Sequence, residues 1–208
     1  MTGFTIDPER VHRNLERVRA RAGPEVEILA ATKYVSAPDM RALADAGVTL
    51  VGENRAQDLR PKRDRWGEAF TWDFIGNLQS RKVKEVLPLV RLIHSVATDS
   101  ALVQLERHAT PDIEVLVEVN VAGEEGKGGV LPDGLGAFIE RCPVRVVGLM
   151  TMPPFSDDPA ASRPFFARLA ELAAHHGLAR LSMGTSQDWE TAVDEGATII
   201  RLGTALYT

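Results

Sequence analysis

Eight short runs of β-branched and other apolar residues, separated by helix-patterned stretches, restrict the fold of this chain more than any other feature. They fall at 26–31, 48–52, 71–75, 90–96, 113–121, 144–150, 179–183 and 198–202. Intervening helices are read at 38–46, closing on Gly47, at 99–108 after Thr98, at 131–141, which carries Leu135, Phe138 and Ile139, and at 187–195, closing on Gly196. Strand followed by helix, repeated, predicts a parallel sheet. Eight repeats in 208 residues suit a closed (β/α)8 barrel, a fold of roughly 200 to 400 residues, and predict one domain over 1–208. Only Ala205, Leu206, Tyr207 and Thr208 follow the eighth run, so the outer ring lacks a last helix. An N-terminal helix, capped by Asp7 with Pro8 in its first turn, is expected to cover that gap. An open doubly wound sheet is the alternative architecture.

Charge and cysteine content narrow the function. A net charge of -5 and a pI near 5.6 argue against a nucleic-acid-binding surface. The basic positions Arg10, Arg13, Arg17, Arg19 and Arg21 read as the solvated face of a helix whose Val11, Leu15 and Val18 turn inward. A single cysteine, Cys142, excludes an intramolecular disulfide and a cysteine-pair metal site. No apolar run approaches the ~20 residues that span a bilayer, and the N-terminus lacks the organisation of a signal peptide, so a cytoplasmic location is expected. Asp157 and Asp158 read as a helix cap rather than metal ligands, and the five histidines as surface or packing residues. Phosphate-loop, Gly-x-Gly-x-x-Gly, His-Glu-x-x-His and Gly-x-Ser-x-Gly patterns do not occur.

In a parallel barrel the chemistry sits at the C-terminal ends of the strands. Here those ends carry Lys33, then Glu53 and Asn54, Asn77 and Gln79, His94 and Ser95, Asn120, and Met150 and Met152. The seventh run ends in Gly184-Thr185-Ser186 and the eighth in Gly203-Thr204. Glycines let backbone approach an anion, and the helix read from Gln187 would place Thr185 and Ser186 at a helix N-terminus, so these two turns suit a phosphate. Lys33 on the neighbouring first strand offers an amine. To attack an aldehyde it must lose its proton more readily than a free lysine, and Arg201, one strand away, could supply the charge that makes it do so. The same lysine could also simply extend into water. Amine, phosphate nest and arginine in one mouth describe a site for pyridoxal 5'-phosphate (PLP).

The ordered motifs that follow are more specific. Leu29-Ala30-Ala31-Thr32-Lys33, Gly52-Glu53-Asn54, the segment from Phe74 to Lys82, Ile93-His94-Ser95-Val96 and Val119-Asn120-Val121 with Glu124 and Lys127 come first. Gly148-Leu149-Met150, the segment from Leu181 to Asp188 and Arg201-Leu202-Gly203-Thr204-Ala205 complete the set. Over nearly its full length the chain resembles the pyridoxal phosphate homeostasis protein family, single-barrel relatives of the alanine racemase N-terminal domain. The resemblance implies a barrel of PLP fold type III without the second β-domain of racemases. It implies Lys33 as the Schiff-base lysine, Arg201 against the pyridine nitrogen, Ser186, Gly203 and Thr204 on the phosphate, and Asn54 nearby. Ser182, Gly184 and Thr185 complete the candidate cofactor-binding set; no catalytic or metal-binding residue is assigned. Asp73 stands where the family commonly has His, Arg81 where it has Asn and Thr185 where it has Met. The chain stops at Thr208 where relatives continue through another Gly, which leaves a trimmed or short C-terminus open.

Carbanion chemistry on PLP draws on a protonated pyridine nitrogen, and an arginine opposite that nitrogen cannot accept its proton. Racemases of the resembled kind also use a tyrosine from a second domain, whereas the tyrosines here are Tyr34 and Tyr207. The expectation is a PLP-holding homeostasis protein without robust turnover, a monomer with PLP-dependent apoenzymes as recipients and with neither nucleic acid nor membrane as partner. A racemase-like enzyme using Tyr34 or another mouth residue as second base is the alternative, and a phosphosugar-binding barrel a third. Whether Lys82 or Lys127 offers a second amine stays open.

Overall fold

β-Branched residues pack well on a pleated surface, and in a sheet covered on both faces they form unbroken apolar runs. In the computed structural model, which describes residues 6–208, each of the eight runs forms a strand. They are β1 (Glu27–Ala31), β2 (Leu50–Glu53), β3 (Thr71–Phe74), β4 (Leu92–Val96), β5 (Glu114–Glu118), β6 (Arg145–Met150), β7 (Arg180–Thr185) and β8 (Ile199–Leu202). Every neighbouring pair is parallel, and the order β1 to β8 closes on itself as a barrel. The closing ladder sets Glu27 opposite Ile199, Leu29 opposite Arg201 and Ala30 opposite Leu202, so the open-sheet alternative is excluded.

The outer helices are α1 (Pro8–Ala22), α2 (Met40–Asp45), α3 (Ala56–Trp66), α4 (Val83–Val86), α5 (Asp99–His108), α6 (Leu135–Arg141), α7 (Arg163–His175), α8 (Trp189–Asp194) and α9 (Thr204–Tyr207). Their ends follow capping chemistry. Asp7 accepts the amide of Glu9 at the start of α1, and Thr98 accepts that of Ala101 at the start of α5. Asp158 accepts the amide of Ala160 in the short 3-10 turn before α7, which is the cap expected of it.

Helix α1 seals the seam where β8 lacks a full-length helix. Its buried stripe is Val11, Leu15 and Val18, as expected, and Asn14 donates to the carbonyls of Leu206 and Thr208 at 3.1 Å each. The main core lies between the barrel and its helices. A second, smaller cluster fills the barrel interior with Leu29, Leu50, Leu92, Leu116, Met150 and Ile199. Among the described residues no helix is long and apolar enough to cross a membrane, and no cluster of metal-binding side chains occurs.

Leu15 is buried against the seam, so its truncation leaves a cavity where the barrel closes. Leu15→Ala is expected to lower stability by about 2 to 5 kcal/mol in urea unfolding followed by circular dichroism.

Candidate functional site

The mouth opens at the C-terminal ends of the strands, and its first wall is set by a buried ion pair. Lys62 of α3 is 5% exposed; its ammonium pairs with the Glu53 carboxylate and donates to the Thr32 carbonyl at 2.8 Å. The Thr32 hydroxyl lies 3.1 Å from the Gly52 carbonyl and 3.0 Å from Glu53 Oε2. Pinned in this way, the chain turns after β1 and presents Lys33 at the surface, its Nζ 4.8 Å from the centre of the Tyr34 ring. The second carboxylate oxygen of Glu53 accepts the amides of Asn54 at 2.7 Å and Arg55 at 3.3 Å. Glu53 is therefore spent on the wall and does not line the mouth as its strand-end position suggested. A Cβ on Gly76 would stand 1.9 Å from the Asn54 carbonyl, so only glycine allows the β3 loop to run against Asn54. The Asn54 Oδ1 is buried and has no hydrogen-bond partner in the protein.

The turns after β7 and β8 divide the work differently from the sequence expectation. Ser186 Oγ accepts the amides of Gly203 at 2.9 Å and Ala205 at 3.1 Å, so one hydroxyl gathers two backbone donors of the last turn. A Cβ at Gly203 would meet nothing within 4 Å, leaving that stretch of backbone open to approach. Thr204 beside it is exposed. Thr185 is committed elsewhere: its amide and hydroxyl reach Asp188 Oδ1 at 2.7 and 3.1 Å, and Ser162 donates to Asp188 Oδ2 at 2.8 Å. Helix α8 starts at Trp189, not Gln187, because this carboxylate turn precedes it; a helix N-terminus does not stand at Thr185 and Ser186. Gly184 serves packing, with φ at 89° and a hypothetical Cβ only 2.5 Å from that of Ala192.

Arg201 lies at the floor of the mouth, 6% exposed. Its Nη1 donates to Ser182 Oγ at 2.5 Å, and its Nη2 to the Thr151 carbonyl at 3.0 Å and to Met152 Sδ at 2.9 Å. Burial lowers its pKa to about 10, opposed by Glu118 and Asp188, so it is a cation at neutral pH. Lys33 meets the Tyr34 ring and Arg201 meets Ser182, Thr151 and Met152, so the two side chains that the sequence drew together have different partners. Ser182 is fully buried beneath the mouth and lies 2.8 Å from His94 Nδ1. His94 Nε2 stands 3.1 Å from Asp73 Oδ2, and Arg91 bonds both Asp73 oxygens, at 3.1 and 2.8 Å. Arg91 and Arg180 both reach Glu27 at the opposite end of the barrel.

Sequence reasoning named His94 as a strand-end residue and read it as surface or packing, and missed the interior chain in which it lies buried between a carboxylate and a serine. The available signal was a polar residue inside each of four apolar runs: Asp73 in β3, His94 in β4, Ser182 in β7 and Arg201 in β8. Glu118 was missed as well; burial raises its pKa, while Arg201 and Lys127 oppose that. Other mouth candidates are engaged in local contacts. Asn120 bridges to the backbone of Glu124 in both directions, at 2.9 and 3.1 Å, and Ser95 donates to the Gly76 carbonyl. Lys82 pairs with Glu85 and Lys127 with Glu124. Arg81 is exposed and bonds Gln79. Tyr207 donates to the Ala31 carbonyl at 2.9 Å, and burial raises its pKa well above that of free tyrosine.

Barrel and site together define a class, and comparison with known proteins agrees. The family of the alanine racemase N-terminal domain matches residues 6–208. The pyridoxal phosphate homeostasis protein of Aquifex aeolicus is 39% identical over 219 residues, with 96% of each chain covered. PipY of Synechococcus elongatus PCC7942, solved with PLP bound, is 29% identical and superposes with a TM-score of 0.81 over 95% of this chain and all of that one. Alanine racemase from Corynebacterium glutamicum, at 18% identity and a TM-score of 0.77, shares the fold over 98% of this chain and 62% of its own. The chain belongs to the pyridoxal phosphate homeostasis protein family.

Two predictions follow from the buried charges. Lys62→Ala leaves Glu53 without its cation, and a loss of about 3 to 5 kcal/mol in urea unfolding is expected. Stability should also fall with acid in two windows. The His94 pKa is lowered from 6.5, chiefly by burial, so below about 6.5 the unfolded chain takes up a proton that the folded chain refuses, and stability declines. The Asp73 carboxyl is held below 3.8 by His94 and Arg91 against the opposing effect of burial. Its contribution is present above that value and is lost as pH falls through the folded pKa. Urea midpoints from pH 8 to 3 should show both declines, and His94→Gln should remove the first.

Proposed function

We propose that this protein binds PLP as a Schiff base on Lys33 and serves intracellular PLP homeostasis, holding the cofactor without robust turnover. When bound, PLP would supply an aldehyde, and Lys33 would be the amine that holds it, a C=N bond replacing the C=O with loss of water. The observation that carries this reading is the closing ladder β1–β8, which puts the Lys33 turn beside Arg201 and Gly203 at one mouth. The residues fit such a group. Asn54 Oδ1 is a buried acceptor in need of a donor, the Ser186 oxygen accepts the Gly203 and Ala205 amides while its hydroxyl hydrogen stays available to an anion, and Gly203 leaves room for its approach. Arg201 would face the pyridine nitrogen as a donor, with Thr204 at the rim of the phosphate turn. Ser182, Gly184 and Thr185 act from beneath, through Arg201 and the packing of the β7 turn.

The holding role draws support from the tyrosines. Tyr207 is tied to the Ala31 carbonyl and is a poor base, and Tyr34 is 84% exposed to solvent. An arginine with three of its N–H groups already anchored offers the ring a donor and no acceptor for its proton. In this reading the protein is a cytoplasmic monomer that passes its cofactor to PLP-dependent apoenzymes.

PLP added to the purified protein should give a visible absorbance band and, after borohydride, a covalent mass increment on the Lys33 peptide. Lys33→Ala should lose both, and an unchanged increment in that variant would remove Lys33 from its role. With L-amino acids in heavy water, loaded protein should exchange no α-proton at enzyme-like rates; exchange on the order of 1 per second or faster contradicts the holding role.

A further inference from the structure

Asp73 and His94 have no part in the cofactor reading above, yet they form the middle of an unbroken polar chain through the barrel. Arg91 bonds Asp73, Asp73 meets His94, His94 meets Ser182 and Ser182 meets Arg201, with Asp73, His94 and Ser182 all fully buried. We propose that Asp73 and His94 are positioning residues for Arg201. The carboxylate fixes the imidazole as its Nε2–H tautomer, the bare Nδ1 orients the Ser182 hydroxyl, and the Ser182 oxygen fixes the guanidinium at the floor of the mouth.

Donor and acceptor inventories give the direction of the chain. Arg201 has only donors, so at 2.5 Å Ser182 Oγ is the acceptor. An ionised carboxylate only accepts, and Asp73 takes bonds from Arg91 as well, so the hydrogen between Asp73 and His94 belongs to Nε2. A neutral imidazole with its hydrogen on Nε2 has a lone pair on Nδ1, and the Ser182 hydroxyl points its hydrogen there. Every polar atom of the Asp73, His94 and Ser182 side chains then has a partner. Were the hydrogen on Nδ1 instead, Nε2 and the Asp73 carboxylate would face each other as two acceptors, and the Ser182 hydrogen would lose its partner. That outcome is costly for buried groups.

The charges around the chain favour the same state. His94 faces Asp73, Arg91 and Arg201, and burial with the two arginines outweighs the carboxylate in keeping the ring neutral. Arg201 faces Glu118 and Asp188. Its three contacts, to Ser182, Thr151 and Met152, leave two of the five guanidinium N–H groups for whatever enters the mouth. Loss of the Ser182 contact would free the Nη1 end to swing, with a loss of alignment toward a bound ring. Only this last link rests on the proposed function.

Both parts can be tested on the whole chain. In protein labelled with 15N-histidine, without PLP, His94 should show a protonated Nε2 and a bare Nδ1 from pH 8 to 6. A protonated Nδ1 over that range overturns the directed chain. The coupling to the mouth is read with PLP by absorbance, comparing wild type with Ser182→Ala and Asp73→Asn. Each variant should weaken PLP binding by about tenfold, the effect of one hydrogen bond to a charged group, while the borohydride-fixed adduct on Lys33 still forms. Each should also move the pH midpoint of the bound-cofactor band, which a merely structural role would leave in place. Unchanged affinity and midpoint in a folded Ser182→Ala overturn the proposal. If Asp73→Asn does not fold, Ser182→Ala, which removes one oxygen, and the wild-type tautomer still decide it. A wild type that takes up no PLP defeats the proposed function instead, and the histidine spectrum then judges the chain by itself.

Discussion

Closure of the barrel through the β1–β8 ladder is the constraint on which the site depends. Lys33 and Arg201 come from nearly opposite ends of the chain, and the register of Leu29 against Arg201 and Ala30 against Leu202 sets their heights relative to one another. All seven other parallel pairs must be in register for that last one to form. A lysine at the end of β1 shares a mouth with an arginine and an open glycine turn only when the eighth strand closes beside it. The outer ring is thin at this seam, where α9 has four residues. α1 is folded back over it, with Asn14 tied to the last residues by two hydrogen bonds. The same contact therefore holds together the ends of the chain and the two halves of the mouth.

Barrel interiors are commonly filled by branched aliphatic side chains. Here the interior has an apolar cluster and, threaded beside it, a line of charged and polar groups from Glu27 to Arg201. Replacing such a line by packed hydrocarbon would often be neutral or stabilising, since desolvation of each ion works against its pairings. Its retention makes sense if the groups do something that apolar residues cannot. Pairing of the donors and acceptors from Arg91 to Ser182 limits the cost, and it also leaves few alternative arrangements for the guanidinium at the top of the line.

How far the sequence was legible follows the same physics. The eight strands are visible because strands buried on both faces read as unbroken apolar runs, and α1, α5 and their caps because Asp7, Pro8 and Thr98 carry distinct signals. Helix α3 escaped because its sequence is mostly charged, contains Pro61 and buries Lys62, whose ammonium is neutralised by Glu53 rather than turned to water. Strand-end residues were readable as a set, but their individual tasks were not. Thr185 and Ser186 are adjacent and chemically alike, and only the placement of Asp188 shows that the first is bound to a carboxylate while the second gathers amides. Asp73 and His94 were hidden for a different reason. A run buried on both faces does not announce which of its residues look into the barrel and which look toward the helices.

Arg201 brings these strands of argument together. A carboxylate in its place would hold a pyridine nitrogen protonated and make the ring a strong electron sink; a guanidinium, cationic even with its pKa lowered to about 10, can only donate. Such a residue contributes to holding a cofactor in proportion to how well it is aligned, because its benefit is a directed hydrogen bond rather than a proton that moves. Alignment is what the buried supports provide. Ser182, Thr151 and Met152 fix one side of the guanidinium, and the ordered hydrogens behind Ser182 keep that oxygen an acceptor. In the proposed reading, the choice of residue that favours holding disfavours carbanion chemistry, and the polar interior strengthens the first without restoring the second.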